Sequence, residues 1–142
     1  MKSWMAVLCL GGCMGAPAHA QGEWFTVMGD AADGSVDTVQ VDPVAVSVEG
    51  RSKTMNVRVN RAASRLNWDD VPYRSFESRV VFDCQARRAD YVQVRYYTQA
   101  LWGGEAAVET EYRGDPRPML LRDMVPNPTS RLLRAACPTK AR

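Results

Sequence analysis

Few side chains in this 142-residue chain could do chemistry. The single histidine, His19, lies in an N-terminal segment that reads as removable. Without it, Ser-His-Asp catalysis, Cys-His catalysis and histidine-ligated zinc are excluded. No glycine-rich loop of phosphate-binding form occurs. Carboxylates remain. Asp69-Asp70 are neighbours in the chain, and neighbours rarely converge on one substrate as acid and base, so they read as solvated loop acids. Glu109 and Glu111 stand two apart and so share one face of a strand. They could hold a cation, but a polar outer face accounts for them more simply. Asp30, Asp33 and Gly34 resemble a calcium loop only in part. The spacing and the closing glutamate are missing, which leaves a turn. The expectation is no catalytic residue, no metal and no cofactor. An enzyme using carboxylates only is the remote alternative.

Two cysteines, Cys84 and Cys137, lie in the body of the chain. Their chemistry depends on the compartment. The N-terminus reads MKSWMAVLCLGGCMGAPAHA: Lys2, a short apolar run from Trp4 to Leu10, then Ala18-His19-Ala20. This is the pattern of a secretory signal peptide, and the run is too short to span a bilayer. The expected division is therefore a signal peptide at 1–20 and one domain at 21–142. A second reading takes Leu10-Gly11-Gly12-Cys13 as a lipobox, with Cys13 acylated and anchoring the domain to a membrane leaflet. In either case the domain is exported, and an even cysteine count in an exported chain argues for a Cys84–Cys137 disulfide. Two free buried thiols are the alternative.

The remaining length suits one core. Lys2 is one of 18 basic residues, and the other 17 face 16 acidic ones, a net charge of +1 without the leader. That balance creates no long-range field for nucleic acid or anionic lipid.

The elements that must position these residues have a period of two. Residues 24–29 and 36–42 are short strand candidates around a turn at Asp30–Ser35. Met55, Val57 and Val59 alternate with Asn56, Arg58 and Asn60, a half-buried strand. Ala62–Val71 has no period and reads as a loop. Phe76, Val80, Phe82 and Cys84 fall on one face of the next strand. Val92, Val94 and Tyr96 do so on the one after. Gly103-Gly104 reads as a hairpin turn between two further strands. The period then changes. Asn127 is a good N-cap, Pro128 fits the first helical position, and Leu132, Leu133, Ala136 and Cys137 form one apolar stripe. The expected fold is α+β: a single antiparallel sheet of about six strands, with a C-terminal helix on one face. Both thiols lie on the apolar sides of their elements, so the bond would tie helix to sheet.

Alternation places Tyr91, Arg95 and Tyr97 opposite Val92, Val94 and Tyr96, on the outer face. Tyrosine and arginine are enriched at binding hot spots, which makes these three a candidate partner-binding face. With the turn centred near Arg87, Arg79 falls opposite Arg95. Like charges directly opposite destabilise a strand pair, so the register differs or an acid lies nearby.

Trp24, Val41-Asp42-Pro43, the Gly50 turn, Tyr73-Arg74-Ser75, Asp83-Cys84, Tyr96-Tyr97 and a last short helix ending in Cys137 follow one another in an order and spacing that resembles the surface-adhesin protein E family of Gram-negative bacteria. The likeness covers about Trp24 to Cys137. It implies an antiparallel sheet with a disulfide-tied terminal helix. It also implies an exported, often lipid-anchored protein of the periplasm, outer membrane or cell surface. The partner it implies is a protein, either a host extracellular-matrix protein or a second copy of the chain. A structural role in the envelope is the alternative. Leu133 stands where the family pattern would have a Trp, and Ala62–Val71 does not align. Adhesion is therefore not transferred to particular residues.

Overall fold

A computed structural model describes residues 23–138. The expected leader, its cleavage after Ala20 and the alternative lipidation at Cys13 lie outside the described residues.

Alternating side chains set the sheet. Strand β4 (Ser52–Leu66) buries Met55, Val57 and Val59, and β5 (Pro72–Asp83) buries Phe76, Val80 and Phe82 beside them. Around this pair lie β1 (Phe25–Met28), β2 (Thr38–Val41), β6 (Arg88–Tyr97) and β7 (Val108–Glu111), in the antiparallel order β1-β2-β4-β5-β6-β7. Two shorter strands complete the set. β3 (Ser47–Glu49) pairs with β4 beyond the end of β2, and β8 (Arg117–Pro118) pairs with β6 beyond the end of β7. Eight strands thus occupy six positions in the sheet, where about six strands were expected. β3 and β8 escape a periodicity reading because two or three residues carry no period.

One face is dry. Val39, Val41, Met55, Val57, Phe82, Val94 and Tyr96 form a single cluster with Met119, Met124 and the buried stripe of helix α1 (Thr129–Ala136). Asn127 does cap this helix: its Oδ1 accepts from the Thr129 N–H at 2.9 Å. Its Nδ2 donates to the Leu120 carbonyl at 2.9 Å, joining the helix start to the preceding segment. Leu132, Leu133 and Ala136 face inward, with Arg131 and Arg134 in solvent. Cys137 is bonded to Cys84 at the end of β5, with the two Cα atoms 5.4 Å apart.

Two expectations need correction. Ala62–Val71 is not a loop throughout. β4 continues to Leu66, with Arg65 opposite Tyr73 and Leu66 opposite Pro72 after an irregularity past Asn60. Residues 62–66 are all exposed, so they follow no apolar period, although Arg65 and Leu66 are paired with β5. Only the turn remains. Asn67 Oδ1 accepts from the N–H groups of Asp69 and Val71, at 2.8 and 2.9 Å, and Asp70 takes a left-handed φ of 59°. Gly103-Gly104 is not a hairpin turn either. It follows a 3-10 turn, Ala100–Trp102, in a longer connection between β6 and β7.

Candidate functional site

The face away from the helix carries a row of polar side chains, and strand register sets their order. Thr26 lies opposite Gln40, Gln40 opposite Arg58, Arg58 opposite Glu77, Glu77 opposite Arg95, and Arg95 opposite Glu109. From Arg58 onward the charges alternate, so Arg58 has one acidic neighbour and Arg95 two. Arg79 lies opposite Gln93, not Arg95. The hairpin turns between Gln85 and Ala86, with Asp83 opposite Arg88, rather than near Arg87, so the like-charge clash does not arise; a bulge at Val92 then shifts the register of β6 by one more residue. Gln40 Nε2 donates to Thr26 Oγ1 at 2.9 Å, and Arg58 Nε donates to Gln40 Oε1 at 2.7 Å. At the other end, Arg95 Nε donates to Glu109 Oε2 at 3.2 Å and Gln93 Nε2 to Glu109 Oε1 at 2.5 Å.

Arg58 is held between two rings. Its guanidinium carbon lies 4.4 Å from the Trp24 ring centre and 3.8 Å from that of Trp102. Such stacks contribute about 0.5–2 kcal/mol each, more when desolvated. Burial against the rings lowers the Arg58 pKa, while Glu77 and Tyr97 oppose that shift. Trp102 reaches this position through the 3-10 turn, where Leu101 and Trp102 both have left-handed φ, 51° and 57°. Such φ values are unfavourable for large side chains and persist only where the surroundings fix them. Here Trp102 N donates to Ser75 Oγ at 2.9 Å, and its indole N–H to the Phe76 carbonyl at 2.9 Å. Leu101 N donates to Asn60 Oδ1 at 2.8 Å. Asn60 and Ser75 are fully buried polar residues of β4 and β5, and their task is to fix this turn.

Beside the stack, Trp24, Asn56, Arg79, Gln93, Arg95 and Glu109 line an open recess of about 220 Å³. Hydrogen bonds that Arg95 donates to Tyr97 and Glu109 raise its pKa, in that order of weight. The three residues expected on this face are therefore split. Arg95 is exposed at the Glu109 end of the row. Tyr97 faces the same way but is buried, in the row of Asn60 and Ser75 that the 3-10 turn covers. Its part here is to support Arg95.

Tyr91 is on the other side, and the expectation is corrected there. The bulge at Val92 pairs Tyr91 with Val80, which faces inward, and Tyr91 is 4% exposed. The adjacent apolar pair Tyr91-Val92 was the available sign that simple alternation fails. Tyr91 belongs to a network of rings. Its centroid is 5.7 Å from Phe76 and 6.0 Å from Trp68, and Tyr73 lies 5.2 Å from Tyr96. These rings border a second cavity, of about 320 Å³.

Of the residues that make the outer site, Trp24 and Arg58 were in view as a strand opening and an outer-face position. Trp102 was not, because a 3-10 turn with left-handed residues leaves no periodic signal.

Geometry thus defines a small open-sheet domain, packed on one face under a disulfide-tied helix and presenting arginine and tryptophan on the other. The chain belongs to the surface-adhesin protein E family, whose model matches residues 24–138, most of its length. No curated protein and no solved structure matched. The family makes the chain adhesin-like, an exported surface protein with a protein partner. Among the described residues, no helix is long and apolar enough to cross a membrane.

Proposed function

We propose that the domain is a non-catalytic binding module of the cell envelope, whose outer sheet face contacts an extracellular-matrix protein of a host. One observation carries this reading. The helix covers one side of the sheet, while the other keeps Arg79, Arg95 and Glu109 exposed beside the Trp24–Arg58–Trp102 stack. Arginine and tryptophan give planar hydrogen bonding and contact area at modest entropic cost. The stack and the paired charges hold these groups in place before a partner arrives, which lowers the ordering cost of association. Self-association through a sheet edge is the weaker reading. Both edge strands of the path, β1 and β7, are four residues long, and β7 places Glu109 and Glu111 in solvent.

The test is binding to immobilised extracellular-matrix proteins, wild type against Arg95→Ala. Loss of binding by more than about tenfold, with thermal unfolding almost unchanged, is the expected result. Equal binding by the variant would remove the outer face from the interaction. Absence of binding by the wild type to every matrix protein would end the adhesive reading.

A further inference from the structure

The second cavity has a composition unlike the outer face. It lies on the inner side of the sheet, away from the Arg58 row, bordered by β4, β5, β6 and the segment before helix α1. Its volume is about 320 Å³. An engineered apolar cavity of about 150 Å³ takes one benzene ring, so this space suits one substituted ring or a fused pair. Tyr73, Phe76, Tyr91 and Trp68 supply its walls, in tilted and edge-on arrangements with centroids 5.7 and 6.0 Å apart at Tyr91. Such a lining offers ring faces and ring edges to an aromatic guest.

Charge narrows the class. Arg61 is 3% exposed and pairs with Asp123 and Asp37; Arg65 also pairs with Asp123. Two arginines and two aspartates cancel, which leaves no free charge for an ionic ligand. The unpaired groups are donors. Asn67 is nine-tenths buried and lines the cavity; its oxygen is used by its own turn, and its Nδ2 has no partner. The buried Arg61 Nε is also without a hydrogen-bond partner, its nearest carboxylate oxygen being 3.6 Å away. Buried donors without acceptors are costly, and a guest oxygen would relieve that cost. The Tyr91 hydroxyl has no hydrogen-bonded side chain among the described residues.

We propose that this cavity binds an uncharged aromatic small molecule of one or two rings carrying a single acceptor oxygen. The ring lies among Tyr73, Phe76, Tyr91 and Trp68, and the oxygen accepts from Asn67 Nδ2 and the Tyr91 hydroxyl. This site is independent of the outer face and of the proposed matrix partner.

Acetophenone, benzoate and toluene separate the terms: a ring with a neutral acceptor, a ring with a charge, and a ring with neither. The protein is titrated with each and followed by methyl NMR. Acetophenone is expected to shift the methyls of Val94, Leu120 and Leu121 saturably, with benzoate and toluene at least about fivefold weaker, the value of one ordinary hydrogen bond. Tyr91→Phe is expected to weaken acetophenone about fivefold and leave toluene unchanged. Unsaturated or scattered shifts up to the solubility limit of acetophenone would overturn the proposal. So would benzoate or toluene binding as tightly as acetophenone. If Tyr91→Phe does not fold, the comparison of the three probes on the wild type decides alone.

Discussion

Replacing both Cys84 and Cys137 by alanine tests how the helix is held. The bond closes a loop of 53 residues. In the chain-entropy account, releasing a loop of that length costs about 4 kcal/mol at 25 °C. Against a total stability of about 5–15 kcal/mol, that is a large share. Helix α1 has eight residues, below the roughly 12–15 at which an isolated helix becomes marginal in water. Its packing through Leu132, Leu133 and Ala136 is real, and removing Leu132 alone would cost about 2–5 kcal/mol. Alanine is chosen because a serine would bury a hydroxyl without a partner. Urea unfolding followed by circular dichroism gives the loss, and amide exchange at Leu132 and at position 137 reports whether the helix stays docked. The expected outcome is a loss near 4 kcal/mol with a somewhat steeper urea slope, since the folded contacts are kept and the released unfolded chain exposes more surface. A loss below about 1 kcal/mol would refute the reasoning, because packing alone would then anchor the helix and the closed loop would count for little.

Two further predictions concern buried side chains. Burial holds the phenols of Tyr73, Tyr91 and Tyr96 above the ordinary tyrosine range, with the Tyr112 hydroxyl adding to the effect at Tyr96. Above about pH 10 the unfolded chain ionises these groups and the folded chain does not, so stability is full below that pH and falls as pH rises, by up to about 1.4 kcal/mol per unit for each tyrosine. Urea midpoints between about pH 8 and 11 should show the decline, and Tyr91→Phe should flatten it; a flat profile for the wild type would be the contrary result. Arg58→Ala removes the cation between Trp24 and Trp102 and should cost about 1–2 kcal/mol, with a red shift in tryptophan emission. An unchanged spectrum would mean the stack does not persist in solution.

Much of the fold was legible because its central strands alternate. Met55, Val57 and Val59 on β4, and Phe76, Val80 and Phe82 on β5, are buried as their spacing requires. The helix was legible from Asn127, Pro128 and a four-residue apolar stripe, and the disulfide from two cysteines on apolar faces. What failed was local or non-local in a way that period cannot carry. One extra residue at Val92 moved Tyr91 from the outer to the inner side. Residues 62–66 extend β4 in solvent, where no apolar side chain marks the strand. Trp102 reaches Arg58 only through hydrogen bonds to Ser75 and Phe76, more than 20 positions earlier in the chain. The aromatic cavity collects walls from β4, β5, β6 and the 118–123 segment, and no stretch of sequence displays them together.

Cys84 closes the strand that precedes β6, and its bonding partner comes 53 residues later. A polypeptide is made, and threaded across a membrane, from its N-terminus. The strands up to β5 therefore emerge while Cys84 is still a thiol, and the helix that will cover their inner face has yet to arrive. Until it does, the Cys84 thiol is open to oxidation and to exchange with any foreign disulfide of the compartment. Completion of the domain is thus timed by the last element to appear, and a chain halted between Cys84 and Cys137 carries an unspent cysteine beside an uncovered apolar sheet.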